Sequence, residues 1–232
     1  MLINHLFCHN NIFSLTYKGY VKYVKSDNSK ILTILKGLSF SESEIEIIES
    51  VFHKASYSKG TIILKTDDEV NYQYYTLKGS LHSYYLDNDG KEHTVQFAIK
   101  DWWISDYTGF FTDSKAILNI EVIQDAILYK ISKQDKEKLY ERIPKIESFF
   151  RKKLESAFAA FQKRILGTIS QTATQRYLNF INTYPDIEKS VKNYHIASYF
   201  RYNNREFKPN TERVIFKMNK LTYINLVHHS IL

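Results

Sequence analysis

Two groups of residues have types and spacings that bear on chemistry. The first is a set of hydrogen-bond donors: Gln171, Thr172 and Arg176, then His195, Ser198 and Tyr199. Amide, hydroxyl and guanidinium groups in such a set make hydrogen bonds rather than covalent ones. The second group is histidine: His53, His82 and His93 in one part of the chain, and His5 and His9 flanking Cys8 at its start. The first trio lacks the close His-x-His pair and following glutamate of a facial metal set, and the N-terminal group lacks a fourth ligand. Scattered surface histidines are therefore expected, with no metal and no cofactor. No Ser/His/Asp or Cys/His arrangement stands at a recognisable spacing. The chain reads as a binder and not as an enzyme.

Charge supports a binder of polyanions. The net charge is +7, and it is unevenly spread. Residues 31–135 hold 10 Lys/Arg against 16 Asp/Glu, whereas residues 136–232 hold 18 against 8. An acidic front joined to a basic back fits a sensor attached to a module that binds nucleic acid or another polyanion. The single cysteine excludes an internal disulfide framework and a four-thiolate cluster. No apolar run approaches the ~20 residues of a membrane span. The start, Met1-Leu2-Ile3-Asn4-His5, lacks a secretory signal, so the cytoplasm is the expected location and no membrane partner is expected.

The elements that must position these residues follow from periodicity. Ile45, Ile47, Ile48, Val51 and Phe52 fall on a helical period behind the caps Ser41 and Ser43. From Gly60 to Ile131 short strands alternate with turns at Thr66–Glu69, Lys78-Gly79-Ser80 and Asn88-Asp89-Gly90. This spacing predicts an antiparallel roll or barrel. The period then changes. Beyond Pro144, residues Phe150, Leu154, Phe158, Phe161 and Ile165 form one apolar stripe on a helix of at least five turns. Such a stripe needs cover from the roll, from a second copy of the chain, or from both. Its length favours a dimer seam.

This order of parts resembles the Crp/Fnr family of bacterial transcription regulators. The resemblance is carried by Lys59-Gly60, Leu77-Lys78-Gly79, Asp89-Gly90-Lys91-Glu92-His93 and Trp102-Trp103-Ile104. More specific are Gln162-Lys163-Arg164-Ile165, Gln171-Thr172-Ala173, Arg176-Tyr177-Leu178, Tyr184-Pro185 and His195-Ile196-Ala197-Ser198-Tyr199. It implies an α+β fold. An antiparallel double-stranded β-helix, a jelly-roll-like sensor of the cyclic-nucleotide-binding kind, spans residues 31–133, a long dimerisation helix 134–168, and a winged helix-turn-helix begins at 169–199. Residues 1–30 stand outside it as an N-terminal extension. The resemblance also implies DNA as partner, contacted through Gln171, Thr172, Arg176, His195, Ser198 and Tyr199, together with a homodimer, an unidentified small-molecule effector and contact with RNA polymerase.

In that family a short helix after the roll's central hairpin cradles a nucleotide phosphate with its N-terminal N–H groups. The corresponding residues here are Trp102, Trp103, Ser105, Asp106 and Tyr107, with Lys115 downstream. The family's Gly-Glu pair is missing, and Lys115 stands where an arginine is expected. Lysine supplies charge without a bidentate fork. This departure implies a ligand other than cyclic AMP, or none. A ligand-binding module acting through protein partners without DNA is the alternative reading.

The resemblance stops at Phe200. Where the family continues with leucine, a turn glycine and a recognition helix, this chain reads Phe200-Arg201-Tyr202-Asn203-Asn204, and Pro209 would interrupt a helix. With suitable synonymous codons, removing one base from the Phe200 codon turns Phe200 through Val214 into Leu-Gly-Ile-Thr-Thr-Glu-Ser-Leu-Ser-Arg-Ile-Arg-Lys-Glu-Leu. That series is a complete turn and recognition helix. Residues 200–232 are therefore expected to be out-of-frame translation, with DNA reading impaired.

Overall fold

The computed structural model describes residues 28–200 and, as backbone, strands β1 (Phe13–Tyr17) and β2 (Tyr20–Val24), which pair antiparallel. The expectations for residues 201–232, for His5, Cys8 and His9, and for the rest of the N-terminal extension lie outside the described residues.

Helix α1 (Glu42–Val51) begins with a capping box. The Ser41 side chain accepts from the Glu44 backbone N–H, and the Glu44 carboxylate accepts from the Ser41 N–H at 2.7 Å. Two otherwise unpaired backbone donors are thereby satisfied. The strands that follow are β3 (His53–Tyr57), β4 (Ile62–Leu64), β5 (Tyr72–Leu86), β6 (Glu92–Ala98), β7 (Trp103–Ile104) and β8 (Asn119–Ser132). Helix α2 (Tyr107–Thr112) lies between β7 and β8. The sheet runs β3-β8-β5-β6, with β4 also paired to β8 and β7 to β5, all antiparallel. This is the expected roll.

Asn88-Asp89-Gly90 makes the β5–β6 turn, with Gly90 at φ 75° and its N–H bonded to the Asp87 carbonyl. The expected turn at Lys78-Gly79-Ser80 is not a turn. Strand β5 runs straight through it, and only its register against β8 shifts. Gly79 absorbs that bulge at φ 84°, packed so tightly that an added Cβ would lie 2.3 Å from the Asp125 carbonyl oxygen. A bulge and a turn share the same glycine signal, which is why the sequence could not separate them.

Beyond the roll come α3 (Lys133–Arg142), α4 (Pro144–Ser170), α5 (Ala173–Thr183), α6 (Ile187–Ser190) and α7 (Asn193–Phe200). Pro144 explains the break between α3 and α4, because its ring pushes Ile143 to φ −136°, ψ 76°, outside the helical region. Three cores hold these parts together. Leu64, Leu81, Ile104, Phe110, Ile120, Val122 and Leu128 fill the roll. Ile48, Phe52, Tyr75, Ile131, Leu139, Ile146 and Phe150 join the roll to α1, α3 and the start of α4. Phe97, Ile99 and Ile123 on the roll meet Tyr177, Ile181, Ile187, Ile196 and Phe200 from α5, α6 and α7. No helix among the described residues is long and apolar enough to cross a membrane.

Candidate functional site

The short helix α2 sits where the resemblance predicts a phosphate cradle. Its N-cap, Asp106, is fully buried. One carboxylate oxygen accepts from the N–H groups of Thr108 and Gly109 at 3.0 and 3.2 Å, and the other from Ile117 and Leu118 at 2.7 and 2.9 Å. A buried carboxylate needs such donors to offset its lost hydration. The Asp106 carboxylate thus occupies four backbone N–H donors at and beside the N-terminus of α2.

The other expected ligand residues divide between different surroundings. Buried Ser105 donates its hydroxyl to the Tyr72 carbonyl at 2.9 Å, and the Tyr107 hydroxyl accepts from Gln73 Nε2 at 3.2 Å. Burial pushes the Tyr107 phenol up to about 12. Trp103 packs into the core against Phe52, Tyr75 and Phe150, while Trp102 turns to Tyr184 near α5, with ring centroids 5.0 Å apart. Lys115 is exposed, its backbone bridged to Glu69. Ser105, Asp106 and Tyr107 are therefore together, and the two tryptophans and Lys115 are not with them. A cleft of 380 Å³ lies beside this region, lined by residues that include Leu64, Glu69, Tyr72 and Lys130.

Behind α2, the buried Lys136 donates to Gln73 Oε1 at 2.8 Å and lies 5.3 Å from the Phe110 ring centre and 4.6 Å from that of Phe150. Burial lowers its ammonium to about 8. One cation thus touches the cradle helix, α3 and the first turns of α4.

The stripe on α4 is split by depth. Phe150 is buried in the roll-side core. Leu154, Phe158, Phe161 and Ile165 are 45–59% exposed, and Leu166 and Ile169 extend the patch. At α4's end, Thr172 caps α5 in a second capping box with Gln175, and Arg176 donates to the Gln171 carbonyl at 2.9 Å. Gln171, Thr172 and Arg176 thus come together at the α4–α5 elbow.

Residues 54–143 match the family model of the cyclic nucleotide-binding domain. The fold is shared with Crp/Fnr-type regulators. A c-di-GMP-responsive global regulator, CLP of Xanthomonas campestris, is similar at 15% identity and TM-score 0.57, over 78% of this chain and 92% of that one. FixK2 of Bradyrhizobium japonicum is similar at 18% identity and TM-score 0.58, over 74% and 86%. A CooA mutant of Carboxydothermus hydrogenoformans is similar at 15% identity and TM-score 0.57, over 82% and 84%. No curated protein is similar enough in sequence to count as a relative.

Helix α7, the last among the described residues, is docked on the roll. Ser198 Oγ accepts from the Thr94 N–H at 3.1 Å and donates to the Glu92 carbonyl at 2.8 Å, so it partners the backbone of the edge strand β6. Arg164 on α4 donates to the Val95 carbonyl at 2.7 Å and to the Tyr199 hydroxyl at 3.1 Å. The Tyr199 ring meets those of Phe97 and Phe180 at a tilt, with centroids 5.3 and 5.0 Å away, and Ser80 Oγ donates to the Ser190 carbonyl. His195 is buried here. Ser198, Tyr199 and His195 thus face the roll.

This docking assembles a constellation that the sequence did not reveal. One ligand atom each from His82 on β5, Glu92 on β6 and His195 on α7 all lie within 4.8 Å of one another. His82 Nε2 is also 3.4 Å from Glu121 Oε2 on β8, and its Nδ1 is 3.3 Å from Thr94 Oγ1. Burial lowers His82 to about 3, with His195 adding to the effect. Burial also lowers His195 to about 4, with Lys192 and Lys59 adding. Both imidazoles are neutral at pH 7. Burial raises Glu121, and the nearby Glu92 charge raises it further. His53 and His93 are elsewhere, His53 exposed on β3 and His93 bonded to Asp87 in the hairpin. His82 and His195 lie too far apart in sequence for any spacing rule to pair them.

Proposed function

We propose that this chain is a homodimeric transcription regulator of the Crp/Fnr type, with a sensor roll at 31–133, a dimer seam on helix α4, because the single helix expected over 134–168 is broken at Pro144 into α3 and α4, and the start of a DNA-reading domain at 169–199. The observation that carries this reading is the patch from Leu154 to Ile169 on α4, which the roll leaves exposed. Each of its large side chains gains about 1.5–3 kcal/mol on full burial, so a second copy laid along it is strongly favoured. Pairing α4 helices would carry two α5 elbows side by side, as a two-fold DNA site requires. The effector is a small molecule other than a cyclic nucleotide, because Asp106 already fills the donors a phosphate would take. Contact with RNA polymerase would follow from the same role.

The residues after Tyr199 are out-of-frame, and base readout is weakened in this chain. A gel shift over a range of salt concentrations, comparing this chain with one carrying the restored reading, tests the proposal. The restored chain is expected to bind a two-fold site with an affinity that falls steeply with salt. Equal binding by both chains would contradict it.

The engagement of Ser198 and Tyr199 by β6 favours a second reading, a ligand-binding module acting through protein partners. Tight DNA binding by the restored chain would dismiss it.

A further inference from the structure

We infer that His82, Glu92 and His195, with Glu121 as fourth donor, form a site for a divalent first-row transition cation that fastens α7 to the sensor roll. Two imidazoles and a carboxylate are a donor set suited to Zn²⁺, Fe²⁺ or Co²⁺. Three of the donors come from three adjacent strands of the roll, β5, β6 and β8, and one from α7. An ion held between them joins the two parts directly. The site needs only the roll and α7, so it does not rest on the DNA reading.

The geometry needs a small contraction. Donors each about 2.0–2.1 Å from a tetrahedral Zn²⁺ stand about 3.4 Å apart, against the 4.8 Å within which the ligand atoms of His82, Glu92 and His195 lie, while Glu121 Oε2 is 3.4 Å from His82 Nε2. Glu92 is exposed and free to swing inward, whereas His82 is fully buried and fixed. Thr94 supplies the outer support: when His82 Nε2 binds the ion, Nδ1–H donates to Thr94 Oγ1. The electrostatics point the same way. Besides burial, the Glu92 charge raises Glu121 although Lys59 acts against it, and a dication close to both carboxylates would relieve that repulsion. Lys59 and Lys192 are the cations nearby, and each acts on His195. Neither lysine forms an ion pair with these carboxylates among the described residues.

The test is equilibrium dialysis of the untagged full chain against ZnCl₂, with CoCl₂ as a coloured probe of imidazole coordination. One ion per chain is expected, with visible Co²⁺ bands and slower hydrogen exchange across residues 193–200. Glu92→Gln and His195→Gln should each weaken binding by ~100-fold or more, and Thr94→Val by ~10-fold, the range known for outer-shell partners. Because Glu92 is exposed, Glu92→Gln leaves the fold intact and circular dichroism confirms it. Binding that survives in Glu92→Gln belongs to other histidines and overturns the inference. So does a parent chain that takes up no ion, or one that binds without slowing exchange in α7.

Discussion

The rings of His82 on β5 and His195 on α7 meet edge to face, their centroids 4.4 Å apart. One belongs to the sensor roll and the other to the helix that would lead into a DNA-reading turn. Around them, Ser198 partners the edge of β6, and Arg164 ties both Tyr199 and β6 to α4. Helix α7 is thus held by the sheet of the roll.

Arg164→Ala tests that contact. It removes a hydrogen bond to the Val95 carbonyl and one to the Tyr199 hydroxyl, together with a guanidinium lying 4.9 Å over the Tyr199 ring. Amide exchange in α7 is expected to rise about tenfold, equivalent to ~1.4 kcal/mol, while exchange in β5 and β8 stays unchanged.

Asp106 is the second target. Replacing it with alanine leaves four backbone N–H groups without their carboxylate. The expected loss is about 3 kcal/mol or more in urea denaturation. In calorimetry the parent chain should give no binding heat with cyclic AMP.

Lys136 sets a pH dependence. Its folded pKa lies near 8 against an ordinary 10.5, so between these values the unfolded chain holds the proton that the folded chain has lost. Stability therefore rises with pH from about 8 to 10.5, by at most ~3 kcal/mol from this group. Lys136→Met should abolish that slope and be neutral or stabilising at pH 7, because it removes a desolvated charge. Denaturation midpoints across this range measure both effects.

Gly79→Ala should be severe. The new Cβ would meet the Asp125 carbonyl oxygen at 2.3 Å and the Ala126 Cα at 2.7 Å, in a backbone conformation with φ 84°. A loss of roughly 3 kcal/mol or more in thermal or urea unfolding is expected.

What the sequence made legible was local. The Ser41 cap, the Asn88–Gly90 hairpin and the stripe from Leu154 to Ile165 each rest on residues that are near neighbours along the chain. What it concealed was long-range. Asp106 reads from the sequence as part of a phosphate cradle, and nothing local announces that its carboxylate is engaged by the distant N–H groups of Ile117 and Leu118. Phe150 lies on the stripe's period, yet the roll buries it, because periodicity reports a face and not what covers it. His82 and His195 become neighbours only through the packing of α7 on β6.

Sedimentation velocity of the full chain tests the central claim most directly. The α4 patch predicts a species of two 27.4 kDa chains at micromolar concentration, converted to the single chain by Phe158→Glu. A parent chain that sediments as a single copy at every concentration would contradict the account.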